Sequence, residues 1–183
     1  ITVCVKPKGI ASEDSPNEKG IIGLLSERAG KPLHLLHRLD RNVGGVMVFA
    51  NDKKSAATLS KDIAEGKFKK EYLAVLDGIP EENAGTLKDL LFKDSRKNRS
   101  YVVNRMRKGV KDASLEYEIV NKTGSKAMVS VLLHTGRTHQ IRVQFSSRRL
   151  CLTGDIKYGS KDRTNCEIAL HSYRITFTHP TTN

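Results

Sequence analysis

The chain has 183 residues, of which 38% are hydrophobic and 28% are charged, and its formal net charge is +12. This length and composition fit one globular domain, and no apolar run approaches the roughly 20 residues of a transmembrane helix. The positive excess predicts a polyanionic partner, most commonly nucleic acid, while the 5% aromatic content without Trp argues against a module that stacks bases on aromatic side chains.

The amino-terminal third predicts a strand, a helix and a second strand. Residues 3–5 form a strand that ends in a Pro/Gly turn at residues 7–9. A helix begins with the capping box of residues 15–18 and ends at Gly30. The short apolar run of residues 46–50 is typical of a buried strand.

Asp40 lies in the loop that leads into this buried strand. Gly44-Gly45 marks a turn signal where the backbone takes a positive φ or approaches another segment closely. Catalytic groups are often found on loops attached to rigid strands. Taken alone, however, the stretch favours a structural Asp40 that caps a turn or pairs with Arg38 or Arg41.

The rest of the chain predicts mainly strands. Between residues 81 and 111 the apolar pattern weakens, and we predict solvent-exposed hairpins whose basic side chains contact phosphates. These basic residues are Lys93, Arg96, Lys97, Arg99, Arg105, Arg107, Lys108 and Lys111. The other predicted elements are a helix over 51–65 that is capped by Asn51-Asp52 and a strand over 68–76. Strands over 115–119 and 128–134 form a hairpin near Thr123-Gly124. A helix over 139–148 with Thr138 as its N-cap and a strand over 168–178 follow.

A second stretch is rich in hydrogen-bond donors and lies at a predicted strand-to-helix junction. It comprises residues 135–142 (Thr-Gly-Arg-Thr-His-Gln-Ile-Arg). A helix N-terminus at this place would favour an anion such as phosphate or carboxylate. Taken alone, Arg137 and Arg142 are better explained as ordinary surface contacts.

No metal, disulfide or cofactor is indicated by the sequence. The three cysteines, Cys4, Cys151 and Cys166, are widely spaced without a C-x-x-C pair, so we interpret them as the reduced thiols of a cytoplasmic protein. Two closely spaced histidine pairs lack further ligands at metal-binding spacing; these are His34 with His37 and His134 with His139. We predict a single domain over residues 1–183, and the start at Ile1 suggests an upstream segment or domain.

Six short blocks follow one another along nearly the whole chain. They are residues 5–9 (Val-Lys-Pro-Lys-Gly), 37–40 (His-Arg-Leu-Asp), 70–75 (Lys-Glu-Tyr-Leu-Ala-Val), 135–142, 154–159 (Gly-Asp-Ile-Lys-Tyr-Gly), and 170–171 (Leu-His) with 179–180 (His-Pro). In this order they resemble the RluA-type family of RNA pseudouridine synthases. The chain departs from many family members at Val43-Gly44, where they carry Thr-Ser; we expect those hydroxyls to organise the loop and not to take part in the chemistry.

The resemblance implies an α+β (mixed α/β) pseudouridine synthase fold, with a large, mainly antiparallel sheet, a few flanking helices and a central catalytic cleft. It implies an isomerase that converts uridine to pseudouridine in structured rRNA or tRNA without a cofactor. Asp40 would act at the ribose, either as a nucleophile on C1′ or as a base at C2′. Tyr72 would stack on the flipped uracil, and Arg142 would pair with Asp40 and keep it ionised.

The resemblance also implies a set of side chains that bind RNA. Arg38 would fill the gap left by the extruded base, since C1′ is inaccessible in a stacked strand. The full predicted set is Arg38, Arg41, Arg137, His139, Gln140, Lys157 and Tyr158. RNA is the expected partner, and no obligate protein partner is evident, so we expect a monomer.

Two alternatives remain open. A non-catalytic RNA-binding protein that retained the fold would explain the charge equally well, but it would not need the Asp, Tyr and Arg together. A glycosidase-like or nucleosidase enzyme would also use a carboxylate at an anomeric carbon, but it usually needs a second acid, for which Asp155 is the only candidate within a motif.

Overall fold

The computed structural model describes residues 1–163 and 167–182. These residues form nine strands, three α-helices and one short 3₁₀ helix. The strands are β1 (Thr2–Lys6), β2 (His34–Leu35), β3 (Gly44–Ala50), β4 (Lys69–Leu76), β5 (Ala84–Asp94), β6 (Arg99–Val103), β7 (Val110–Thr123), β8 (Lys126–Leu133) and β9 (Leu170–Thr176). The helices are α1 (Ile21–Ala29), α2 (Lys53–Ala64), α3 (Gln140–Ser146) and the 3₁₀ helix Ile156–Tyr158.

The chain divides into two compact units, residues 1–70 with the segment from His171 onwards, and residues 71–170. We call them unit 1 and unit 2. In unit 1, β3 pairs with β1 and β2 in antiparallel orientation and with β9 in parallel orientation. Val48 of β3, Leu59 of α2 and Phe68 form a buried apolar cluster in this unit. The two-residue strand β2 was not predicted, because it is too short to show an alternating pattern.

The glycine pair that was predicted as a turn signal forms the start of β3. Gly45 has φ 125°, and a Cβ at this position would lie 2.1 Å from the carbonyl oxygen of Ser172. Gly45 and Ser172 are register partners in the parallel pair of β3 and β9. Both features named for the pair, a positive φ and a close approach of backbone, therefore occur at Gly45, and they allow β9 to pack beside β3.

The predicted start of the first helix is wrong. Ser15 and Glu18 form an isolated bridge, in which the Ser15 N–H donates to the Glu18 carbonyl (2.8 Å), and α1 begins only at Ile21. The N-cap is Gly20, whose N–H donates to Oδ1 of Asp14 (2.7 Å). Asp14, which lies just before the predicted capping box, thus supports the start of the helix in its place.

Other helix ends agree with the prediction. Gly30 caps the end of α1 in the left-handed conformation, with φ 64°. Asp52 caps α2 by accepting a hydrogen bond from the Ser55 N–H (2.8 Å). These caps are local, so the sequence contains the information that places them.

Unit 2 is built on long antiparallel hairpins. Its strands follow the order β4-β8-β7-β5-β6, and the pairs β5–β6, β5–β7 and β7–β8 are antiparallel. The predicted exposed hairpin region and the predicted β7–β8 hairpin at Gly124 are both confirmed. Leu115, Val129 and Val131 of the latter are fully buried.

Helix α3 is shorter than the predicted helix over 139–148, and its N-cap is His139, not Thr138. His139 adopts a left-handed conformation with φ 54°. The Thr138 carbonyl accepts a hydrogen bond from the Ser100 hydroxyl (2.6 Å). Tertiary contacts of this segment, which the local pattern does not contain, therefore set where the helix begins.

The α+β class and the mainly antiparallel strand pairing are confirmed. The single domain and the central cleft stay predictions. None of the helices in residues 1–163 and 167–182 is long and apolar enough to cross a membrane.

His37 belongs to the packing of unit 1. Its ring centroid lies 5.7 Å from that of Phe68, and its Nε2 accepts a hydrogen bond from the Val48 N–H (3.2 Å). Its Nδ1 is buried without a hydrogen-bond partner among the described residues. Burial, together with the positive charge of Lys70, lowers the pKa of His37 to about 4, so the ring is neutral at pH 7.

We predict that this histidine makes the protein less stable in mild acid. Because the folded-state pKa of His37 is below its unfolded value of about 6.5, its contribution to stability is complete above pH 6.5 and is lost as the pH falls towards 4. The loss should approach about 3 kcal/mol of the free energy of unfolding. Urea unfolding between these pH values would measure it, and His37→Phe, which keeps a ring beside Phe68, should flatten the dependence. An NMR titration of His37 near pH 6.5 would contradict the prediction.

Candidate active site

Asp40 is placed by a loop whose backbone is tied to distant residues. The Val43 N–H donates to the Asp40 carbonyl (3.0 Å). Ser12 Oγ accepts from the Leu39 N–H (3.0 Å) and donates to the Leu39 carbonyl (2.8 Å). The side chains of Leu39 and Val43 are both buried. Asp40, which is partly exposed, is therefore held by anchored backbone at Leu39 and at Val43.

A buried lysine supports the same loop. Lys6 has no exposed surface, and its ammonium donates to the carbonyl oxygens of Pro7 (2.9 Å), Ile10 (2.7 Å) and Arg41 (3.1 Å). Burial lowers the pKa of Lys6, and the negative charge of Asp40 opposes this shift. Lys6 thus fixes the residue after Asp40 and brings a positive charge within electrostatic range of the carboxylate. The sequence placed Lys6 in a motif block but did not indicate this role.

The two arginines beside Asp40 are engaged in exposed ion pairs. Arg38 Nη1 lies 2.8 Å from Glu13, and Arg41 forms a two-point pair with Glu18 (2.7 and 2.8 Å). Exposed pairs of this kind contribute at most about 1 kcal/mol, so phosphate oxygens can replace the glutamates. A role of these arginines in RNA binding stays a prediction.

Tyr72 lies on the buried face of β4. Strand alternation places Tyr72, Ala74 and Leu76 on the same side, and Tyr72 is 5% exposed. The block that contains it thus forms the predicted strand. Stacking of Tyr72 on a uracil stays a prediction, and so does its proximity to Asp40 and Arg142.

Arg142 of α3 forms a buried ion pair with Asp155. Its Nε lies 2.6 Å from Oδ2 and its Nη2 lies 2.9 Å from Oδ1, and the side chains are 6% and 1% exposed. We expected Arg142 to pair with Asp40, and that contact stays a prediction. The fork occupies both oxygens of Asp155 and shields them from solvent. Asp155 is therefore a poor candidate for the general acid of the glycosidase-like alternative.

Tyr158 joins Arg142 to two other segments of unit 2. The Arg142 Cζ lies 4.9 Å from the Tyr158 ring centroid. The phenol oxygen accepts a hydrogen bond from the Ser100 N–H (2.8 Å) and lies 2.9 Å from Nδ1 of His139. Burial raises the pKa of Tyr158, so the hydroxyl stays protonated. Tyr158 is 3% exposed, whereas the adjacent Lys157, also predicted to bind RNA, is exposed.

Gln140 organises the loop before α3. Its Oε1 accepts hydrogen bonds from the Thr135 hydroxyl (2.8 Å) and the Arg137 N–H (3.0 Å), and its Nε2 donates to the Ser114 carbonyl (3.1 Å). Gln140 is 3% exposed. Arg137 is partly exposed, and its Nε donates to the Asp112 carbonyl (2.8 Å).

The structure brings together several of the predicted side chains of unit 2. His139, Arg142 and Tyr158 form one cluster, with Gln140 and Arg137 in the adjoining loop. Asp155 was named from the sequence only as a rival general acid, and its Gly-Asp block was the available signal. In the described part of the chain no group of three His, Cys, Asp or Glu side chains could hold a metal ion. Cys4 and Cys151 are free thiols, and Cys166 lies outside the described residues.

Comparison with known proteins gives consistent matches. The family model described as RNA pseudouridylate synthase matches residues 1–147. The ribosomal large subunit pseudouridine synthase C of Buchnera aphidicola (subspecies Acyrthosiphon pisum) is 32% identical over 186 residues, which cover 96% of this chain and 59% of that protein. The uncharacterized RNA pseudouridine synthase YhcT of Bacillus subtilis is 30% identical over 97% of this chain and 61% of its own length. The chain thus spans about three fifths of these curated relatives.

Solved structures agree in fold. The human RNA Pseudouridylate Synthase Domain Containing 4 superposes with a TM-score of 0.78 at 24% identity, covering 96% of this chain and 80% of that chain. The human RNA Pseudouridylate Synthase Domain Containing 1 gives the same TM-score at 22% identity, over 94% of this chain and 73% of that one. With its motif blocks in order, its α+β fold and a family match over most of its length, the chain belongs to the RNA pseudouridylate synthase family.

Proposed function

We propose that this chain isomerises uridine to pseudouridine in RNA, with Asp40 as the catalytic carboxylate and without a cofactor. The observation that carries the proposal is the construction of the Asp40 loop. Asp40 is partly exposed, the side chains of Leu39 before it and Val43 three residues after it are buried, and the carbonyl of Arg41 is held by a fully buried lysine. Such a loop keeps a reactive group in place while leaving it open to a substrate.

The reaction breaks the N1–C1′ bond of uridine, turns the base and joins C5 to C1′. N1 gains a proton and C5 loses one, so the overall reaction is an isomerisation without redox change. Asp40 acts at the ribose, either by attacking C1′ or by removing a proton from C2′. Tyr72 stacks on the extruded uracil, and Arg142 supplies a cation to Asp40. Extrusion of the uridine is needed because C1′ cannot be reached in a stacked strand.

A basic hairpin supports RNA as the substrate. Residues 93–111 contain eight of the 32 Lys and Arg residues but one of the 20 Asp and Glu residues. None of these eight basic side chains has an acidic partner among the residues that the structure describes. At the β5–β6 turn, Asp94 Oδ1 accepts from the backbone N–H groups of Arg96 (3.0 Å) and Lys97 (3.1 Å), and both side chains are exposed.

We expect structured rRNA or tRNA to be the substrate, and the ribosomal name of the Buchnera relative favours rRNA. Arg38, Arg41, Arg137, His139, Gln140 and Lys157 contribute to the RNA-binding surface or its support. The monomer is the expected active unit, and the cytoplasm is the expected location because both classes of RNA are found there.

Replacing Asp40 with Asn should abolish the reaction, because the amide cannot act as nucleophile or base. The measurement is release of tritium from cellular RNA labelled at uridine C5 and taken from a strain that lacks the enzyme. We expect at least about a thousandfold loss of rate. Asp62→Asn on α2 is the matched control and should release tritium normally.

Three other outcomes are informative. If neither the unchanged protein nor Asp40→Asn releases tritium while both still bind RNA, the alternative of a non-catalytic RNA-binding protein is favoured. Equal release by these two proteins would show that Asp40 is not the catalytic carboxylate. A loss that accompanies a lower melting temperature would identify Asp40 as structural.

The Arg142–Asp155 pair should be needed for both stability and rate. Arg142→Met leaves the Asp155 carboxylate buried without its partner and should cost about 3–5 kcal/mol. The double variant Arg142→Met/Asp155→Leu should recover most of this stability without recovering activity. Urea unfolding and tritium release measure the two quantities. Additive stability losses would contradict the proposed pairing energy.

The basic hairpin should determine much of the salt dependence of RNA binding. Arg96→Gln/Lys97→Gln removes two charges, and each lost phosphate contact should reduce the log–log salt slope by about 0.7–0.9. Fluorescence anisotropy with a labelled structured RNA at several KCl concentrations measures the slope. Lys53→Gln/Lys54→Gln on α2 is the control with the same change in net charge. Equal slopes for both double variants would exclude a specific role of the hairpin.

A further inference from the structure

Tyr158 is the point at which the basic hairpin is attached to His139 and Arg142, which we call the arginine cluster. Its hydroxyl accepts the Ser100 N–H at 2.8 Å and lies 2.9 Å from Nδ1 of His139. Its ring lies edge-on to the His139 ring, with 5.6 Å between the centroids. Because Tyr158 is 3% exposed, it can affect RNA binding only indirectly, by positioning the residues that it contacts.

The Tyr158 ring is also shared by two guanidinium groups. The Cζ atom of Arg142 lies 4.9 Å from the ring centroid and that of Arg99 lies 5.0 Å from it. Aromatic faces attract such cations. Asp155 holds Arg142 by one edge through the bidentate fork, and the ring restrains the guanidinium from a second side. Without the ring, the guanidinium of Arg142 would be freer to rotate about the line that joins it to the Asp155 carboxylate.

Ser100 links Tyr158 to the turn of the basic hairpin. It comes directly after Arg99, at the start of β6, and therefore next to the turn that carries Arg96 and Lys97. Ser100 is 2% exposed. Its N–H is bound by Tyr158 and its hydroxyl donates to the Thr138 carbonyl (2.6 Å). The turn end of the hairpin is thus attached at two points to the segments that carry His139 and Arg142.

We propose that Tyr158 is a positioning residue that uses its hydroxyl to orient the basic hairpin for RNA and its ring to hold Arg142 for the reaction. The role in the reaction rests on the proposed function. The two parts of the side chain have separable effects. Loss of the hydroxyl leaves the buried Ser100 N–H without its acceptor and loosens the turn end of the hairpin, whereas loss of the ring removes the support of Arg142.

Two substitutions separate the parts. Tyr158→Phe keeps the ring and removes the hydroxyl, and Tyr158→Leu removes both. Tyr117→Phe is the matched control, because among the described residues the Tyr117 hydroxyl makes only a long hydrogen bond to the exposed Glu82 carbonyl (3.4 Å). All variants are first compared by melting temperature.

Three readouts test the proposal. Anisotropy of a fluorescein-labelled structured rRNA fragment gives affinity, single-turnover tritium release at saturating protein gives the rate, and NMR amide exchange reports on the Ser100 N–H. For Tyr158→Phe we expect about tenfold weaker RNA binding, about tenfold faster Ser100 exchange and a smaller loss of rate than for Tyr158→Leu. For Tyr158→Leu the rate should also fall at least about tenfold.

The proposal is overturned if Tyr158→Phe changes neither the RNA affinity nor the Ser100 exchange, or if it lowers the rate while the affinity stays the same. It is also overturned if Tyr117→Phe has the same effects, since the result would then not depend on this hydroxyl. If the unchanged protein releases no tritium, the proposed function fails instead. Anisotropy and amide exchange would still decide whether Tyr158 holds the hairpin.

Discussion

The buried ion pair of Arg142 and Asp155 is the constraint on which unit 2 depends. Removing two charges from water costs several kcal/mol for each ion, and the cost is offset only when the geometry is good and the remaining donors are satisfied. The bidentate fork fulfils the first requirement. It also joins α3 to the 3₁₀ helix, because Asp155 directly precedes Ile156. The Tyr158 carbonyl accepts a hydrogen bond from the Ser146 hydroxyl (2.6 Å), which closes the same connection at the end of α3.

Unit 1 holds Asp40, the proposed catalytic residue, by a different arrangement. Lys6 is a fully buried cation whose three N–H donors are all taken by backbone carbonyls. No side-chain carboxylate is used up in these bonds, so Lys6 holds the loop while its charge still acts on Asp40. A salt bridge in the same place would neutralise that charge. Because Lys6 binds carbonyl oxygens and not a carboxylate, its positive charge remains available to the Asp40 carboxylate in the loop that it supports.

The distribution of charge distinguishes two kinds of basic residue. Arg38 and Arg41 beside Asp40 are paired with Glu13 and Glu18, so a phosphate has to displace a carboxylate to reach them. The side chains around the β5–β6 hairpin have no such competitor among the described residues. An approaching polyanion would accordingly meet the hairpin charges at lower cost. Tyr158 and Ser100 connect this hairpin to the arginine cluster. RNA that contacts the hairpin could therefore affect the position of Arg142 through these two residues.

Features that depend on short-range pattern could be predicted from the sequence. Strand alternation and helix periodicity predicted most of the strands and helices, and residue type at the chain position predicted the caps at Gly30 and Asp52. The six ordered blocks gave the resemblance to the family, and that resemblance implied the α+β class. Asp40 and Arg142 were singled out by those blocks and not by their spacing, since each fitted an ordinary structural role when considered alone.

The features whose partners are distant in the chain depended on the folded structure. Ser172 explains why position 45 is glycine, and Asp155 forms the fork with Arg142. A polar or charged group takes whichever partner the packed chain brings to it, and many partners would satisfy the same group equally well. The local sequence shows which polar or charged groups are present but not which partner each one binds. The chemistry could therefore be predicted from the sequence, whereas the contacts that position the reacting groups could not.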